Sequence, residues 1–167
     1  MITKNNYKVF HIESIYEDIV IRPMEYSDYD NVYKLWGTIH GFRIRSIDDS
    51  REGIYRFLDR NPNTSIVAVN SKNVIIGAIL CGHDGRTGCL YHVCVREDYR
   101  KMGIGNEMTS SCIKALKNEK INKISLIAFK ENEVGNCFWK GEKWCKRDEV
   151  NYYDFSLNDE NVSKYID

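Results

Sequence analysis

The stretch that decides the fold is residues 96–108, REDYRKMGIGNEM, which joins an apolar run to a helical pattern. Two consecutive cations, Arg100 and Lys101, precede two closely spaced glycines, Gly103 and Gly105, at the start of that pattern. The first N–H groups of a helix have no partner inside the helix, and with the positive end of the helix dipole they attract anions. Glycine lets a bound group approach the backbone closely. The order of these residues therefore predicts an anion-binding turn.

The surrounding residues exclude two common kinds of phosphate-binding turn. A Walker loop requires G-x-x-x-x-G-K-[ST], which is absent, and a nucleotide-phosphate hydrolase would also need a pair of metal-binding carboxylates. A Rossmann fingerprint requires a βαβ unit, whereas hairpin signals connect the strands that precede this turn. A glycine turn that serves only the path of the chain is consistent with the spacing. The spacing alone leaves this last possibility open.

Length and charge indicate one globular domain. The chain has 167 residues with 24 cationic and 24 anionic side chains, so its formal net charge is zero. A chain of this length can bury one ordinary core. The charge balance disfavours binding to nucleic acid or to an anionic membrane. Because we find no secretory signal and no apolar run of membrane-spanning length, we expect a cytoplasmic protein.

The six cysteines are spread through the chain. They form no C-x-x-C pair and no Cys/His cluster at the spacing of metal ligands. We therefore expect reduced cysteines that mostly serve packing, and no metal site.

Hydrophobic periodicity predicts alternating groups of strands and helices. Residues 1–18 form an N-terminal extension, either an edge strand or a loose arm, and residues 19–167 form a single domain. Ser27 and Asp30 resemble a capping box for the first helix, and Asp49 and Glu52 can cap the second. The predicted strands cover residues 19–22, 64–69, 73–80, 89–95, 123–128 and 150–157. One helix is predicted to begin after Ser27, and three more are predicted at residues 50–60, 104–116 and 133–139.

The motif Tyr99-Arg100-x-x-Gly103-Ile104-Gly105 at a strand end resembles the acetyl-CoA signature R/Q-x-x-G-x-G/A of the GNAT superfamily of N-acetyltransferases. The predicted element order matches that family's order over about residues 19–157, and Asn132 opens the helix where the family has an asparagine. The resemblance is to small bacterial single-domain members. It implies an α/β (α+β) GNAT fold with a mixed, mostly antiparallel central sheet of about six to seven strands, flanked by about four helices and splayed between strands 4 and 5.

The resemblance also implies acetyl-CoA as co-substrate and assigns residues to it. The backbone of Val93, Cys94 and Val95 would pair with the pantetheine arm, and an amide near Cys94 or Val95 would stabilise the oxyanion. Asn132 would reach the pantetheine or cysteamine part. The cleft would open between residues 93–95 and 125–127. The pyrophosphate would be held by Arg100, Lys101, Met102, Gly103, Ile104, Gly105 and Asn106.

The implied reaction is acetyl transfer from the thioester to a primary amine by direct attack in a ternary complex. A lysine-like amine is almost entirely protonated at neutral pH, so a base must accept its proton. His92 is the first candidate, because imidazole titrates near neutrality, although strand alternation could equally direct it into a packed face. Glu25, in the turn after the first strand, is a second candidate, and a merely solvated surface carboxylate is its alternative role.

Many relatives carry a tyrosine on the last helix that protonates the departing thiolate, where this chain has Trp139. An indole N–H donates a hydrogen bond but does not give up its proton, so the usual acid is missing. Tyr152, Tyr153 and Cys137 are possible substitutes. Cys137 could also carry the acyl group in a two-step mechanism, but no partner histidine is indicated, and direct transfer is favoured.

The acceptor is expected to enter beside the connection between the first two helices. This connection contains Trp36, His40, Phe42, Arg43 and Arg45, an aromatic and cationic wall that suits an acceptor with a carboxylate or an apolar group, although ordinary surface arginines would give the same pattern. Small-molecule and peptide amines both remain open, including polyamines, aminoglycosides, amino acids and protein N-termini. A homodimer is also open. The rival to an enzyme is a non-catalytic module that binds or senses acyl-CoA.

Overall fold

The structure, a computed structural model, describes residues 7–166 and contains four helices and eight strands in that range. A 3₁₀ turn precedes the first helix and another follows the sixth strand. The predicted α/β fold with four helices is confirmed. In chain order the elements are β1 (Lys8–Ile12), β2 (Glu17–Pro23), α1 (Tyr29–Trp36), β3 (Arg43–Arg45), α2 (Arg51–Arg60), β4 (Ile66–Val69), β5 (Ile75–His83), β6 (Gly88–Val95), α3 (Ile104–Asn118), β7 (Ile124–Leu126), α4 (Glu133–Gly141) and β8 (Ser163–Tyr165).

Six strands form the central sheet in the order β1-β2-β4-β5-β6-β7, and β3 and β8 form a separate two-stranded ribbon. Neighbouring strands in the sheet are antiparallel except β6 and β7, which are parallel. That last pairing covers only Gly88, Cys89 and Leu90 of β6. The two strands therefore separate after Leu90, as the predicted splay requires.

Both faces of the sheet are covered, which explains why β4 reads as a continuous apolar run. Its four residues are all buried and alternate between two cores. On one face, Met108 and Cys112 of α3 pack against Ile66 and Ala68. On the other face, α1 and α2 pack against the sheet, and Trp36 is fully buried there. The N-terminus of α3 and the α1–α2 connection therefore lie on opposite faces of β6.

The predicted caps of the first two helices are wrong. In place of a Ser27–Asp30 box, the Asp28 carboxylate accepts the N–H of Glu25 at 2.8 Å and pairs with the half-buried Arg22 guanidinium at 2.6 Å. The helix therefore begins after Asp28.

At α2, the Ser50 hydroxyl accepts the N–H of Gly53 at 3.1 Å. Ser50 therefore has the capping role that the sequence analysis predicted for Asp49 and Glu52. Ser50 has the extended backbone of an N-cap, whereas the Asp49 carboxylate is occupied by partners outside the helix.

Replacing Ser50 by alanine is expected to lower the free energy of unfolding by about 1 kcal/mol, because the N–H of Gly53 loses its acceptor. Urea unfolding of the variant gives the measurement. Ser27→Ala is the matched control, since the exposed Ser27 caps no helix, and it is expected to be neutral. Equal losses in the two variants would contradict the cap assignment.

The predicted strand at 150–157 is wrong. Within the described range this segment pairs with no strand, and Tyr153, Phe155 and Leu157 are 84%, 87% and 95% exposed. The last strand is instead β8, which pairs antiparallel with β3. Alternation of side chains predicts an extended segment but does not identify an edge for it to pair with.

The N-terminal extension contributes β1, which pairs antiparallel with β2 and corresponds to the edge-strand alternative. Residues 1–6 of that extension lie outside the described range, and the domain boundary after residue 18 stays a prediction. Among residues 7–166, no helix combines the length and the apolar character needed to cross a membrane.

Candidate functional site

The central strand β6 is interrupted by a bulge at His92. The pairing of β6 with β5 shifts so that His92 and Val93 together lie opposite Ile79. His92 has a φ of 48°, which is the left-handed region rarely adopted by residues with a side chain. A bulge leaves an unpaired residue in the ladder and redirects its side chain.

The bulge explains which face His92 contacts. Without it, strict alternation would place His92 on the same face as Leu90, which packs with α3. Instead, the His92 ring lies 4.6 Å from the Trp36 ring and 5.4 Å from the Phe42 ring, on the α1–α2 face. The preceding Tyr91 contacts that face too, through Phe57. The two consecutive side chains therefore point to the side where the acceptor is expected.

A buried aspartate holds the His92 ring. Nε2 of His92 lies 2.7 Å from Oδ1 of Asp49, and the two side chains are 18% and 6% exposed. The other carboxylate oxygen of Asp49 accepts the N–H of Arg45 at 2.7 Å. The hydroxyl of Tyr29 donates to the Asp49 carbonyl at 2.9 Å, which fixes the backbone there. Three hydrogen bonds, to His92, Arg45 and Tyr29, therefore position Asp49.

This contact determines which nitrogen of His92 is available. An ionised carboxylate only accepts hydrogen bonds, so the nitrogen facing Asp49 carries the hydrogen and the neutral ring keeps its lone pair on Nδ1. Within residues 7–166, Nδ1 has no hydrogen-bond partner. The packed histidine therefore presents one free basic atom.

The turn before α3 has the backbone of an anion site. Lys101 and Gly103 both have left-handed φ values, 61° and 83°. Gly103 is the N-cap of α3 and supplies no side-chain cap. Among the described residues, the N–H groups of Ile104, Gly105 and Asn106 have no acceptor, so they remain available to a ligand.

Helix α4 packs against this turn. A Cβ added to Gly105 would lie 3.4 Å from the Phe138 ring and 3.8 Å from Val95, so this position faces both α4 and β6. Arg100 donates from Nε to the carbonyl of Val95 at 3.1 Å, which anchors the guanidinium at the end of β6. Gly105 therefore lies where the turn, the strand end and α4 meet.

The other predicted residues are placed as follows. Lys101 and Asn106 are exposed, and Met102 is half-buried against the α3 core. The side-chain oxygen of Asn132 accepts the N–H of Gly135 at 2.9 Å and so caps α4.

Neither of the other two predicted catalytic residues bonds to His92. Glu25 is exposed before α1, and Tyr153 is exposed in the unpaired segment. Within residues 7–166, the only side chain that hydrogen-bonds to the imidazole of His92 is Asp49.

Burial keeps the thiols of two core cysteines, Cys94 and Cys112, protonated. Burial raises the pKa of Cys94 to about 12, and it raises the pKa of Cys112 well above the usual value. Cys137 and Cys145 are exposed instead. The Cys94 side chain is therefore a packing group.

Trp139, at the position of the missing tyrosine, belongs to a cluster of aromatic rings. Its ring lies 4.8 Å from Phe138 and 4.9 Å from Trp144, and it packs on the α3 core. Trp139 thus has a packing role that needs no proton transfer.

Sequence reasoning missed Asp49 as a partner of His92. The two residues are 43 positions apart, and an aspartate next to a helix start is ordinarily a cap. The bulge carries no glycine or proline signal. Only the pairing of β5 with β6 and the path of the α1–α2 connection reveal the His92–Asp49 pair.

The sequence and the fold resemble those of known proteins. The model of the acetyltransferase (GNAT) family matches residues 29–140. An acetyltransferase of Sodalis glossinidius is 32% identical over 114 residues, which cover 68% of this chain and 78% of the relative.

Two solved structures share the fold. The acetyltransferase of the GNAT family from Staphylococcus aureus Mu50 superposes with a TM-score of 0.65 at 17% identity, covering 89% of this chain and 99% of that chain. A chain of the NatC complex bound to Gag peptide and CoA superposes with a TM-score of 0.60 at 22% identity, covering 74% of this chain and 82% of that chain. Because the family model spans well over half of the sequence, the chain belongs to the acetyltransferase (GNAT) family.

Proposed function

We propose that the protein is an acetyl-CoA-dependent N-acetyltransferase that acts on a primary amine by direct attack in a ternary complex. The observation that carries this proposal is the arrangement along β6. A histidine with one nitrogen that is free among residues 7–166 lies in the middle of the strand, and a turn whose amides have no acceptor in that range follows the end of the strand. Family membership and the CoA bound to the NatC relative support the same reaction.

The residues present fit the coenzyme. Within residues 7–166, the amides at the start of α3 have no acceptor, and Gly105 adds no side chain beside them, which suits a diphosphate. After Leu90, β6 is unpaired on the side of β7, so its backbone at Val93 and Val95 can hydrogen-bond an extended amide chain. Bound there, acetyl-CoA would supply an activated acyl carbonyl.

His92 takes the role of base in this proposal. Its free Nδ1 can accept the proton that the amine loses, while Asp49 stabilises the imidazolium that forms and prevents the ring from turning. The exposed position of Glu25 and its lack of contact with His92 favour His92 over Glu25.

Direct attack predicts that Cys137→Ala leaves turnover unchanged, because the exposed thiol has no histidine partner among the described residues. Cys145→Ala, which removes the other exposed thiol, is the matched control. Mass spectrometry of the enzyme incubated with acetyl-CoA alone checks for an acetyl group on Cys137. Loss of activity in the Cys137 variant only, together with such an adduct, would support a two-step mechanism instead.

The function itself is tested by measuring thiol release from acetyl-CoA with a broad panel of amines, together with the mass of each product. The proposal expects an amine-dependent release and a product heavier by one acetyl group. Tight CoA binding without release above the amine-free control across the panel would favour the acyl-CoA-binding module.

A further inference from the structure

The β3–β8 ribbon bridges the two sides of the splayed cleft. Beside one strand of the ribbon, the ring of Phe42, which precedes β3, lies 5.4 Å from the ring of His92 on β6. On the other strand, the ring of Tyr165 in β8 lies 6.2 Å, between ring centroids, from that of Phe129, which follows β7. Arg43 pairs directly with Tyr165 across the ribbon. The ribbon thus covers the side of the cleft on which the acceptor is expected.

Arg43 is held in this bridge by two aromatic rings. Its guanidinium carbon lies 4.9 Å from the centroid of Phe129 and 4.5 Å from that of Tyr165, and the side chain donates to the Tyr165 hydroxyl. Within residues 7–166, no carboxylate pairs with Arg43. By contrast, Arg45, on the same strand, pairs with Asp48 at 2.9 Å.

A guanidinium held by aromatic rings has restricted motion, yet its remaining N–H groups can still donate. The arginine fork matches a carboxylate in geometry, and ordering it in advance reduces the entropy lost on binding. No carboxylate among residues 7–166 pairs with this pre-ordered cation, which lies on the ribbon that covers the acceptor side of the cleft. It therefore suits a ligand with a carboxylate and disfavours a polycation.

We propose that Arg43 binds a carboxylate of the acceptor, which makes the acceptor an amine with an anionic group at a distance. This inference rests on the proposed function and narrows its substrate class. The residue next to Arg43 on each side points inward, since Ile44 is buried and Phe42 contacts His92. Successive side chains of a strand point to opposite faces, so Arg43 and His92 lie on different sides of the ribbon.

This separation selects the length of the acceptor. In a single α-amino acid the amine and the carboxylate are attached to the same carbon. Such a molecule is too short to contact His92 and Arg43 at once, because the strand lies between them. An extended molecule, such as a short peptide with a free C-terminal carboxylate, can place its amine at His92 and its acid at Arg43. The acceptor class is therefore an anionic, peptide-like amine.

The test compares glycine peptides of two to five residues with their C-terminal amides, which keep the same terminal amine and lose the charge. We expect kcat/KM for the best acid to exceed that for its amide by about tenfold or more, the range for a hydrogen bond to a charged group. Arg43→Gln is expected to remove this preference, because it lowers kcat/KM for the acid peptide and leaves kcat/KM for the amide unchanged. Continued turnover of the amide shows that the variant is folded.

Arg43→Lys, which keeps the charge without the fork, is expected to retain only part of the preference. Arg56→Gln, at an exposed arginine on α2, is the matched control and keeps the full preference. Equal use of acid and amide by the unchanged protein, or an acid preference that survives Arg43→Gln, would overturn the inference. If other amines are acetylated but no peptide is, the inference fails and the function stands. If no amine is acetylated, both fail.

Discussion

Replacing His92 by asparagine is expected to lower kcat/KM by about 10²–10⁴-fold, the usual contribution of a general base. Asparagine is the best replacement because it tolerates the left-handed backbone that His92 adopts in the bulge, where φ is 48°. The strand therefore keeps its shape while the basic nitrogen is lost. Steady-state rates over a pH series give the measurement, and the loss is expected to be greatest where the acceptor amine is protonated.

Asp49→Asn separates positioning from proton transfer. An amide NH₂ can donate to Nε2 of His92, which would move the ring hydrogen to Nδ1 and remove the free base. We expect a large fall in kcat with CoA affinity unchanged, and little further loss when both residues are replaced. A loss in the His92 variant that is flat over pH would exclude His92 as the base.

Replacing Gly105 by aspartate is expected to weaken CoA binding by at least tenfold, because a carboxylate would face the diphosphate across the free amides of α3. Two like charges about 4 Å apart repel by about 4 kcal/mol at an effective dielectric constant of about 20. Titration calorimetry with CoA gives the measurement. Gly105 is preferred to Gly103 for this test, since the φ of 83° at Gly103 would add backbone strain to any side chain.

Gly105→Asn is the matched control for this variant. Asparagine has nearly the same shape as aspartate and meets the Phe138 ring in the same way, so it reports the steric effect alone. A carboxylate near a helix N-terminus stabilises the helix, so the Tm of the aspartate variant is expected to be no lower than that of the asparagine variant. Equal CoA affinities in the two variants would contradict an anion site at this turn.

The parts of the molecule that the sequence predicts correctly are those with local causes. The turn before α3 follows from two glycines and a helical stripe, and the buried strand β4 follows from an uninterrupted apolar run. The order of the elements from β2 to α4, apart from the short strand β3, is predicted for the same reason. Local periodicity and turn residues act over a few positions, so they can be recognised without knowing the fold.

The parts that the sequence misses depend on contacts between distant segments. The pairing of β3 with β8 joins residues more than one hundred positions apart, and within residues 7–166 the segment 150–157 pairs with no strand despite its alternating pattern. His92 and Asp49 meet only because the bulge redirects one and the turn before α2 positions the other. Neither partner identifies the other in the sequence.

A crystal structure of the protein with CoA tests the anion site before α3 most directly. We expect diphosphate oxygens within hydrogen-bonding distance of the amides of Ile104, Gly105 and Asn106, with the pantetheine arm along β6 beyond Leu90. Coenzyme bound elsewhere, with Phe138 still packed against Gly105 and no ligand at the start of α3, would contradict this site and the acetyl transfer that depends on it.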